Sequence, residues 1–274
     1  MLLAAVAAGA AAADPATVSR GAYLAAGAGC DQCHTDAEHG GQPYAGGRQF
    51  ATEFGTVSTP NITPDRETGI GGWSPADFGR AMRWGIAPDD THYLPIFPFP
   101  YFGRLGDADL ADLKAFLDSL PPVRRSDRPT SRALALAERA RAAIGVAVSQ
   151  ATPWRPDSGR DAVWNRGSYL VATIGRCADC HTPRTLLGAV DEERFLAGSG
   201  ATAGRRKAPN ITPDPHHGIG DWSEDDIVAL LTLGQTPDVD FVGGAMAEVV
   251  KNTSRLSEAD RRAIAAFLKT VPAK

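Results

Sequence analysis

One pentapeptide pattern occurs twice in this 274-residue chain and limits what the chain can fold into. It reads Cys30-Asp31-Gln32-Cys33-His34 in the first part and Cys177-Ala178-Asp179-Cys180-His181 in the second. Cys-x-x-Cys-His is the attachment signature of c-type haem, in which both thiols bind the macrocycle and the adjacent His ligates the iron. We therefore predict two covalently bound haem c groups. The predicted attachment residues and proximal ligands are Cys30, Cys33, His34, Cys177, Cys180 and His181.

Other uses of paired cysteines fit this chain poorly. The two motifs contain all four cysteines, so none remains for a disulfide or a free nucleophile. The Cys-x-x-Cys pairs of a zinc ribbon lie roughly 15–20 residues apart, whereas 143 residues separate Cys33 from Cys177. A thioredoxin-like redox site needs a βαβ context, which the flanking sequence lacks. A His after the second Cys in both copies fits neither alternative.

The composition agrees with a chain that buries two macrocycles. Hydrophobic residues make up 43% and charged residues 22%, which is typical of globular domains. Aromatic residues make up only 7%, and two buried porphyrins would supply the missing apolar bulk. The net charge of −4 gives no reason to expect nucleic-acid binding.

Further repeated segments predict that the chain is a duplication of one haem domain. The spacing between equivalent residues is 147 at the cysteines, 149 in the middle of each copy and 151 in the last helix, so the copies differ by small insertions. The matching pairs are Arg20–Leu24 with Arg166–Leu170, Pro60–Asp65 with Pro209–Asp214, Gly69–Ser74 with Gly218–Ser223, and Leu105–Pro121 with Leu256–Pro272.

Each copy is predicted to be mostly helical. A first helix leads into the haem motif, and its Gly-x-Tyr-Leu sequence lets another helix cross closely. Ser74 and Ser223 are predicted N-caps of the next helix. The final helices, Asp107–Leu120 and Ser257–Thr270, carry apolar residues at helical spacing and end before a proline.

The start of the chain predicts export. Residues 1–13 form an apolar run that ends in Ala11-Ala12-Ala13, typical of a signal-peptide cleavage site. The run is too short to span a bilayer, and no other stretch is long and apolar enough, so the mature chain is expected to have no transmembrane helix. Haem attachment at Cys-x-x-Cys-His occurs outside the bacterial cytoplasm. We therefore expect the mature protein in the periplasm.

These observations divide the chain into a signal peptide (1–13), a first haem domain (14–122), a linker (123–160) and a second haem domain (161–274). Residues 130–148 of the linker are predicted to form one helix, rich in arginine. The favoured interpretation is a solvated helix that braces the domains, because charge runs usually face water. The alternative is a docking surface for an acidic partner.

The distal ligand of the second haem is predicted to be Met246. It lies beside Gly243-Gly244 in a predicted loop before the last helix, where class I cytochromes c present a distal Met, and glycine allows close backbone approach. Subtracting the offset of 149 places Phe97 at the equivalent position of the first copy, so the first haem lacks this ligand.

The first haem therefore has three candidate states. His92, five residues before Phe97 in a proline-rich segment, is the favoured sixth ligand. Met82 is the second candidate, although a core position in a helix suits it better. A vacant sixth position is the third. His39, His216 and His217 are expected to be exposed.

The whole mature chain resembles the tandem dihaem c-type cytochromes that serve as electron-accepting subunits or partners of periplasmic alcohol- or aldehyde-type dehydrogenases. The matching residues are both haem motifs, Cys180–Arg184, both Asn-Ile-Thr-Pro-Asp segments, Gly243–Val250 and Asn252–Ser254. The resemblance implies an all-α fold class: two tandem class I cytochrome c domains joined by a helical linker. Alcohol-dehydrogenase-type relatives carry Pro-Ala-Met-Pro-Tyr where this chain has Pro95-Ile96-Phe97-Pro98-Phe99.

The resemblance implies electron transfer from a periplasmic dehydrogenase to a downstream cytochrome or terminal oxidase, and an electron carrier rather than a self-standing enzyme. If His92 binds the first iron, that haem has the lower potential and receives electrons first, because Met ligation raises the potential of the second. The alternative is catalysis at an open first haem, as in a dihaem peroxidase or thiosulfate dehydrogenase, although residues 94–102 offer few acid or base groups.

Overall fold

The computed structural model describes residues 13–52, 55–93, 96–126, 152–185, 189–200 and 207–274. We call residues 13–126 the first half and residues 152–274 the second half. Almost all of the predicted signal peptide and the whole of the predicted linker helix lie outside the described residues. None of the described helices is both long enough and apolar enough to cross a bilayer.

Helices dominate the described residues, which confirms the predicted helical class. The first half contains α1 (Pro15–Ala28), α2 (Cys30–Cys33), α3 (Pro75–Trp84), α4 (Phe99–Phe102) and α5 (Asp107–Ser119). The second half contains α6 (Ala162–Ala172), α7 (Cys177–His181), α8 (Glu224–Leu233), α9 (Gly244–Thr253) and α10 (Glu258–Leu268). The predicted final helices therefore exist, and each ends one or two residues before its predicted end.

A two-stranded antiparallel sheet in the first half departs from the all-α expectation. Strand β1 (Gln49–Thr52) pairs with β2 (Gly55–Ser58), and Phe50 lies opposite Val57. Aromatic and β-branched residues facing each other across a hairpin stabilise such pairs. The sequence analysis predicted no strand here, because four-residue strands give a weak periodic signal.

Both predicted serine N-caps are confirmed, and each belongs to a reciprocal capping box. The Ser74 hydroxyl accepts from the Asp77 amide at 3.2 Å, and the Asp77 carboxylate accepts from the Ser74 amide at 2.9 Å. Ser223 and Asp226 repeat the arrangement at 3.1 and 2.8 Å. These bonds satisfy amides that have no partner within the helix and fix where α3 and α8 begin.

The close helix crossing predicted from the glycines is confirmed in both halves. In the first half α1 crosses α5, and a Cβ at Gly21 would lie 1.9 Å from the carbonyl oxygen of Asp112. In the second half α6 crosses α10, and a Cβ at Gly167 would lie 1.9 Å from the carbonyl oxygen of Ala263. The backbones touch at these points, so only glycine fits.

A two-pronged ion pair lies beside each crossing. The Arg20 guanidinium donates to the Asp112 carboxylate at 2.6 and 2.9 Å. The Arg166 guanidinium donates to the Asp260 carboxylate at 2.8 and 2.7 Å. Both acceptor residues are buried, so solvent screens the pairs less than it would at the surface. Each pair fixes the first helix of its half against the last.

The two halves exchange matching hydrogen bonds. The Tyr23 hydroxyl donates to the Asp260 carboxylate at 2.6 Å, and the Tyr169 hydroxyl donates to the Asp109 carboxylate. Tyr23 and Tyr169 are equivalent in the repeat, and so are Asp109 and Asp260. Each half therefore donates one tyrosine hydrogen bond to the other half and accepts one from it.

The described ends of the predicted linker pack against both halves. The Arg125 guanidinium lies 3.3 Å from the Asp36 carboxylate in the first half. The Trp154 amide donates to the Arg104 carbonyl at 2.9 Å, and its ring lies 5.1 Å from the Tyr169 ring. Trp154 thus contacts a residue of each predicted haem domain, while the helix predicted to brace the domains lies outside the described residues.

We predict that Gly21→Ala lowers the free energy of unfolding by about 3 kcal/mol or more, because the new methyl group would overlap a backbone carbonyl that cannot move without separating α1 from α5. Gly79→Ala in α3 is the matched control. A Cβ at Gly79 meets no atom within 4 Å, so this variant should be unchanged or more stable by about 0.5–1 kcal/mol. Denaturant unfolding followed by circular dichroism measures both. Equal stability of the two variants would contradict the close crossing.

Candidate haem-binding sites

Each Cys-x-x-Cys-His motif lies on a short helix directly after the first long helix of its half. Helix α2 carries Cys30 and Cys33, with His34 as its C-cap, and α7 carries Cys177, Cys180 and His181. Residues three apart on a helix share a face, so both thiols of each motif point to the same side. Three of the four cysteines are half-buried and Cys180 is exposed.

A backbone carbonyl orients the histidine of each motif. Nδ1 of His34 lies 2.8 Å from the carbonyl oxygen of Pro60, and Nδ1 of His181 lies 2.8 Å from that of Pro209. A carbonyl only accepts, so Nδ1 carries the proton and Nε2 is left with a lone pair for a metal. This is the usual outer hydrogen bond of a metal-ligating His.

Desolvation keeps both imidazoles in the form that binds iron. Burial lowers the pKa of His34 and of His181, and the hydrogen bond to the prolyl carbonyl opposes this only in part. Both rings are therefore neutral at neutral pH. Burial also raises the pKa of the Cys30 and Cys177 thiols to about 12, so these thiols are protonated before attachment. Two thiols on one helix face and one oriented imidazole in each half fit a covalent haem.

The repeated Asn-Ile-Thr-Pro segment holds the prolyl carbonyl of the first half in place. Oδ1 of Asn61 accepts from the amide and the hydroxyl of Thr63 at 2.9 and 2.8 Å. Nδ2 of Asn61 donates to the Val123 carbonyl at 2.7 Å, and the Val123 amide donates to the Thr63 hydroxyl at 3.1 Å. The loop that contains Pro60 is therefore tied to the chain just after α5.

The second half repeats this anchor with its own residues. Oδ1 of Asn210 accepts from the Thr212 amide at 2.8 Å, and Nδ2 donates to the Lys274 carbonyl at 2.6 Å. The Lys274 amide donates to the Thr212 hydroxyl at 3.1 Å. The sequence analysis missed the role of Pro60 and Pro209. The recurrence of a six-residue loop segment was nevertheless a signal that this segment has a specific structural role.

Met246 lies in a helix rather than in the predicted loop. It occupies the first turn of α9, is partly buried, and follows Gly243, which is the N-cap residue, and Gly244. The sequence Ala245–Glu248 consists of good helix formers, so the helix begins at the second glycine of the pair. The prediction was wrong about the local structure, while the prediction of Met246 as a ligand is not affected by it.

The distal segment of the first half contains no sulfur donor at the position of Met246. The Phe97 ring is partly buried and makes aromatic contacts with Tyr93 at 5.5 Å and Phe102 at 5.8 Å between ring centroids. Nδ1 of His92 is buried and has no hydrogen-bond partner among the described residues. Buried polar atoms are normally satisfied, so this nitrogen indicates a group that fills the space beside it.

The remaining candidates lie as predicted. Met82 packs against the hydrophobic core from α3. The His39 ring is exposed and lies 2.8 Å from the Asp36 carboxylate. His216 and His217 lie in an exposed turn, where their amides donate to the Asp214 carboxylate.

Comparison with known proteins gives relatives over nearly the whole chain. Residues 165–272 match the family model described as Cytochrome c. The chain is 43% identical over 258 residues to the "Diheme cytochrome c-type" of Cereibacter sphaeroides, which covers 93% of this chain and 86% of that protein.

Two further relatives are named as cytochrome subunits of dehydrogenases. The chain is 37% identical to the "Fructose dehydrogenase cytochrome subunit" of Gluconobacter japonicus, over 94% of this chain and 53% of that protein. It is 39% identical to the "Alcohol dehydrogenase (quinone), cytochrome c subunit" of Gluconobacter oxydans, over 95% of this chain and 56% of that protein. The chain therefore spans little more than half the length of these two subunits.

Proposed function

Since this chain belongs to the dihaem c-type cytochromes, and is thus an electron-transfer protein with two covalently bound haem c groups, we propose that it carries electrons between a dehydrogenase and a later acceptor. The proposed organisation is two tandem class I cytochrome c domains at 14–122 and 161–274, joined by the linker 123–160. The proposed acceptor is a cytochrome or terminal oxidase. The proposed location is the periplasm, reached through the signal peptide 1–13.

The repeated His–Pro hydrogen bond is the observation that carries this proposal. The same bond occurs at 2.8 Å in both halves, on a His that directly follows two cysteines. We assign haem 1 to Cys30, Cys33 and His34, and haem 2 to Cys177, Cys180 and His181. When bound, each haem supplies an iron that changes its charge by one electron.

The polypeptide supplies position and polarity around each iron. The cysteines fix the macrocycle on α2 and α7, and the prolyl carbonyls hold the imidazoles in one tautomer and orientation. Because these groups are fixed by backbone hydrogen bonds, they need little rearrangement when the iron changes its charge.

The two irons are proposed to differ in their sixth ligand. Met246 is the proposed ligand of haem 2, and its thioether favours the reduced state. His92 is the proposed ligand of haem 1, supported by its buried Nδ1 with no partner in the described residues. Electrons would then arrive at haem 1 and leave from haem 2.

Two relatives support a dehydrogenase as the electron donor. By name, they are cytochrome subunits of a fructose dehydrogenase and of a quinone alcohol dehydrogenase. The comparisons give no support to catalysis at an open first haem. The residues near Phe97 also contribute aromatic rings rather than acids or bases.

A redox titration of the purified protein tests the proposed order. We expect two one-electron midpoints that differ clearly, the higher one belonging to a Met-ligated haem, because thioether and imidazole stabilise the two iron charges differently. Optical spectra recorded at each applied potential measure both midpoints. Release of pigment into acidified organic solvent would contradict covalent attachment, and two equal midpoints would contradict the order.

Met246→Leu is expected to remove the long-wavelength Met-to-iron charge-transfer band of the ferric protein and to lower one midpoint. The substitution keeps the apolar volume while it removes the sulfur donor. Met82→Leu is the matched control, because Met82 packs in the core, and it should keep both the band and the midpoints. Loss of the band in the Met82 variant instead would assign the ligand to the other methionine.

His92→Ala is expected to convert haem 1 from a low-spin to a high-spin ferric state, since removal of an axial imidazole weakens the ligand field. Electron paramagnetic resonance of the ferric protein measures this change. His39→Ala is the control, because the His39 ring is exposed and bonded to Asp36. A low-spin spectrum unchanged in the His92 variant would rule out His92 as the ligand.

A further inference from the structure

Arg176 holds an unusual backbone conformation directly before the second haem motif. Its φ is +49°, in the left-handed region that residues with a side chain rarely adopt. The residue before the first motif, Gly29, has a φ of +69°. Both residues begin the short helix that carries the cysteines, so the same turn is made by glycine in one half and by arginine in the other. Strain of this kind persists only where the surrounding structure holds it, and it is concentrated at functional sites.

Only one of these two positions has room for a side chain. A Cβ at Gly29 would lie 2.3 Å from Nδ2 of Asn252 in the second half. That nitrogen donates to Oε1 of Gln32 at 3.2 Å, so it is held in place. The matching turn at Arg176 accommodates a long cationic side chain. An arginine therefore occupies this turn in the second half only.

The Arg176 side chain reaches into the first half. Its guanidinium carbon lies 5.4 Å from the centroid of the Phe102 ring. The Phe102 ring packs against Phe97, which occupies the position equivalent to the proposed distal ligand of haem 2. Arg176 thus contacts the distal segment of the half to which it does not belong.

No carboxylate among the described residues pairs with this guanidinium. Nε of Arg176 is buried and has no hydrogen-bond partner in the described part of the chain. The guanidinium lies over the Phe102 ring, which attracts a cation without cancelling its charge. The positive charge of Arg176 is therefore not neutralised by a carboxylate of the described residues, and its electrostatic field reaches the neighbouring groups.

Electrostatic effects on the cysteines agree with this placement. Burial raises the pKa of Cys30 and Cys177, and the Arg176 charge lowers the pKa of both. The Arg176 charge thus acts on one cysteine of each motif.

We propose that Arg176 is an electrostatic positioning residue shared by the two haem sites, and that it raises the reduction potential of haem 1, in the opposite half, more than that of haem 2. The proposal rests on the assignment of the haems to the two motifs. A nearby cation disfavours the ferric iron, which carries one more positive charge than the ferrous iron. An arginine stays charged at all relevant pH values, so the effect does not depend on titration.

Potentiometric titration of Arg176→Gln tests the proposal. At a fixed applied potential we expect the ratio of reduced to oxidised haem 1 to fall about tenfold, or ~59 mV for a one-electron couple, with a smaller fall for haem 2. The Met-to-iron charge-transfer band follows haem 2, and the remaining absorbance change follows haem 1.

Two variants serve as controls. Arg176→Lys keeps the charge and should retain most of the wild-type ratio. Arg262→Gln removes an exposed arginine that pairs with Asp225 and Glu258, and it should change neither haem.

A change of less than twofold for haem 1 in Arg176→Gln would overturn the proposal, as would an equal change in Arg176→Lys. If the Gln variant binds fewer than two haems per chain, Arg176→Gly takes its place, because glycine removes the charge and relieves the left-handed backbone. Two haems by pyridine haemochrome assay, together with unchanged midpoints, would reject the role of Arg176 and leave the proposed function intact.

Discussion

The hydrogen bond from each motif histidine to a prolyl carbonyl determines much of the surrounding architecture. A carbonyl can orient an imidazole only if its own loop is rigid. The Asn and Thr that lie one and three residues after the proline supply that rigidity by bonding to the segment after the last helix of each half. The last helix is in turn fixed against the first by the glycine crossing and its ion pair. The first helix leads directly into the cysteines. In each half, a continuous series of contacts therefore links the cysteines, the first helix, the last helix and the loop that orients the motif histidine.

Two of the differences between the halves lie close to the proposed haem sites. Phe97 occupies the position equivalent to Met246, and Arg176 occupies the position equivalent to Gly29, directly before the cysteines. In the proposed assignment, each difference changes the ligand or the charge beside an iron, while each cysteine pair lies on a short helix. The two proposed centres therefore share their mode of attachment and differ in their surroundings.

Sequence patterns were sufficient to predict the features that depend on residues close together in the chain. The serine caps and the helical spacing of the last helices each depend on residues within a few positions, and the structure has them as predicted. The glycines at the crossings contact residues far away in the chain, but they were predicted because the same glycine pattern occurs in both copies. The role of Pro60 depends on Val123, which lies about sixty residues away in the chain, so no local pattern could show it. The hairpin at 49–58 and the helical position of Met246 were missed because short elements leave little periodicity. Arg176 was missed because its importance comes from the opposite half.

The exchange of tyrosines between the halves has a consequence for assembly. The Tyr23 hydroxyl donates to Asp260, and the Tyr169 hydroxyl donates to Asp109. The two halves therefore contact each other through equivalent surfaces, each with one tyrosine and one aspartate. Such an isologous contact is self-limiting: once two bodies have met, neither has a copy of the patch left. Any additional unit must therefore attach through a different surface, and the pair cannot extend into a longer array by repeating the contact that already joins it.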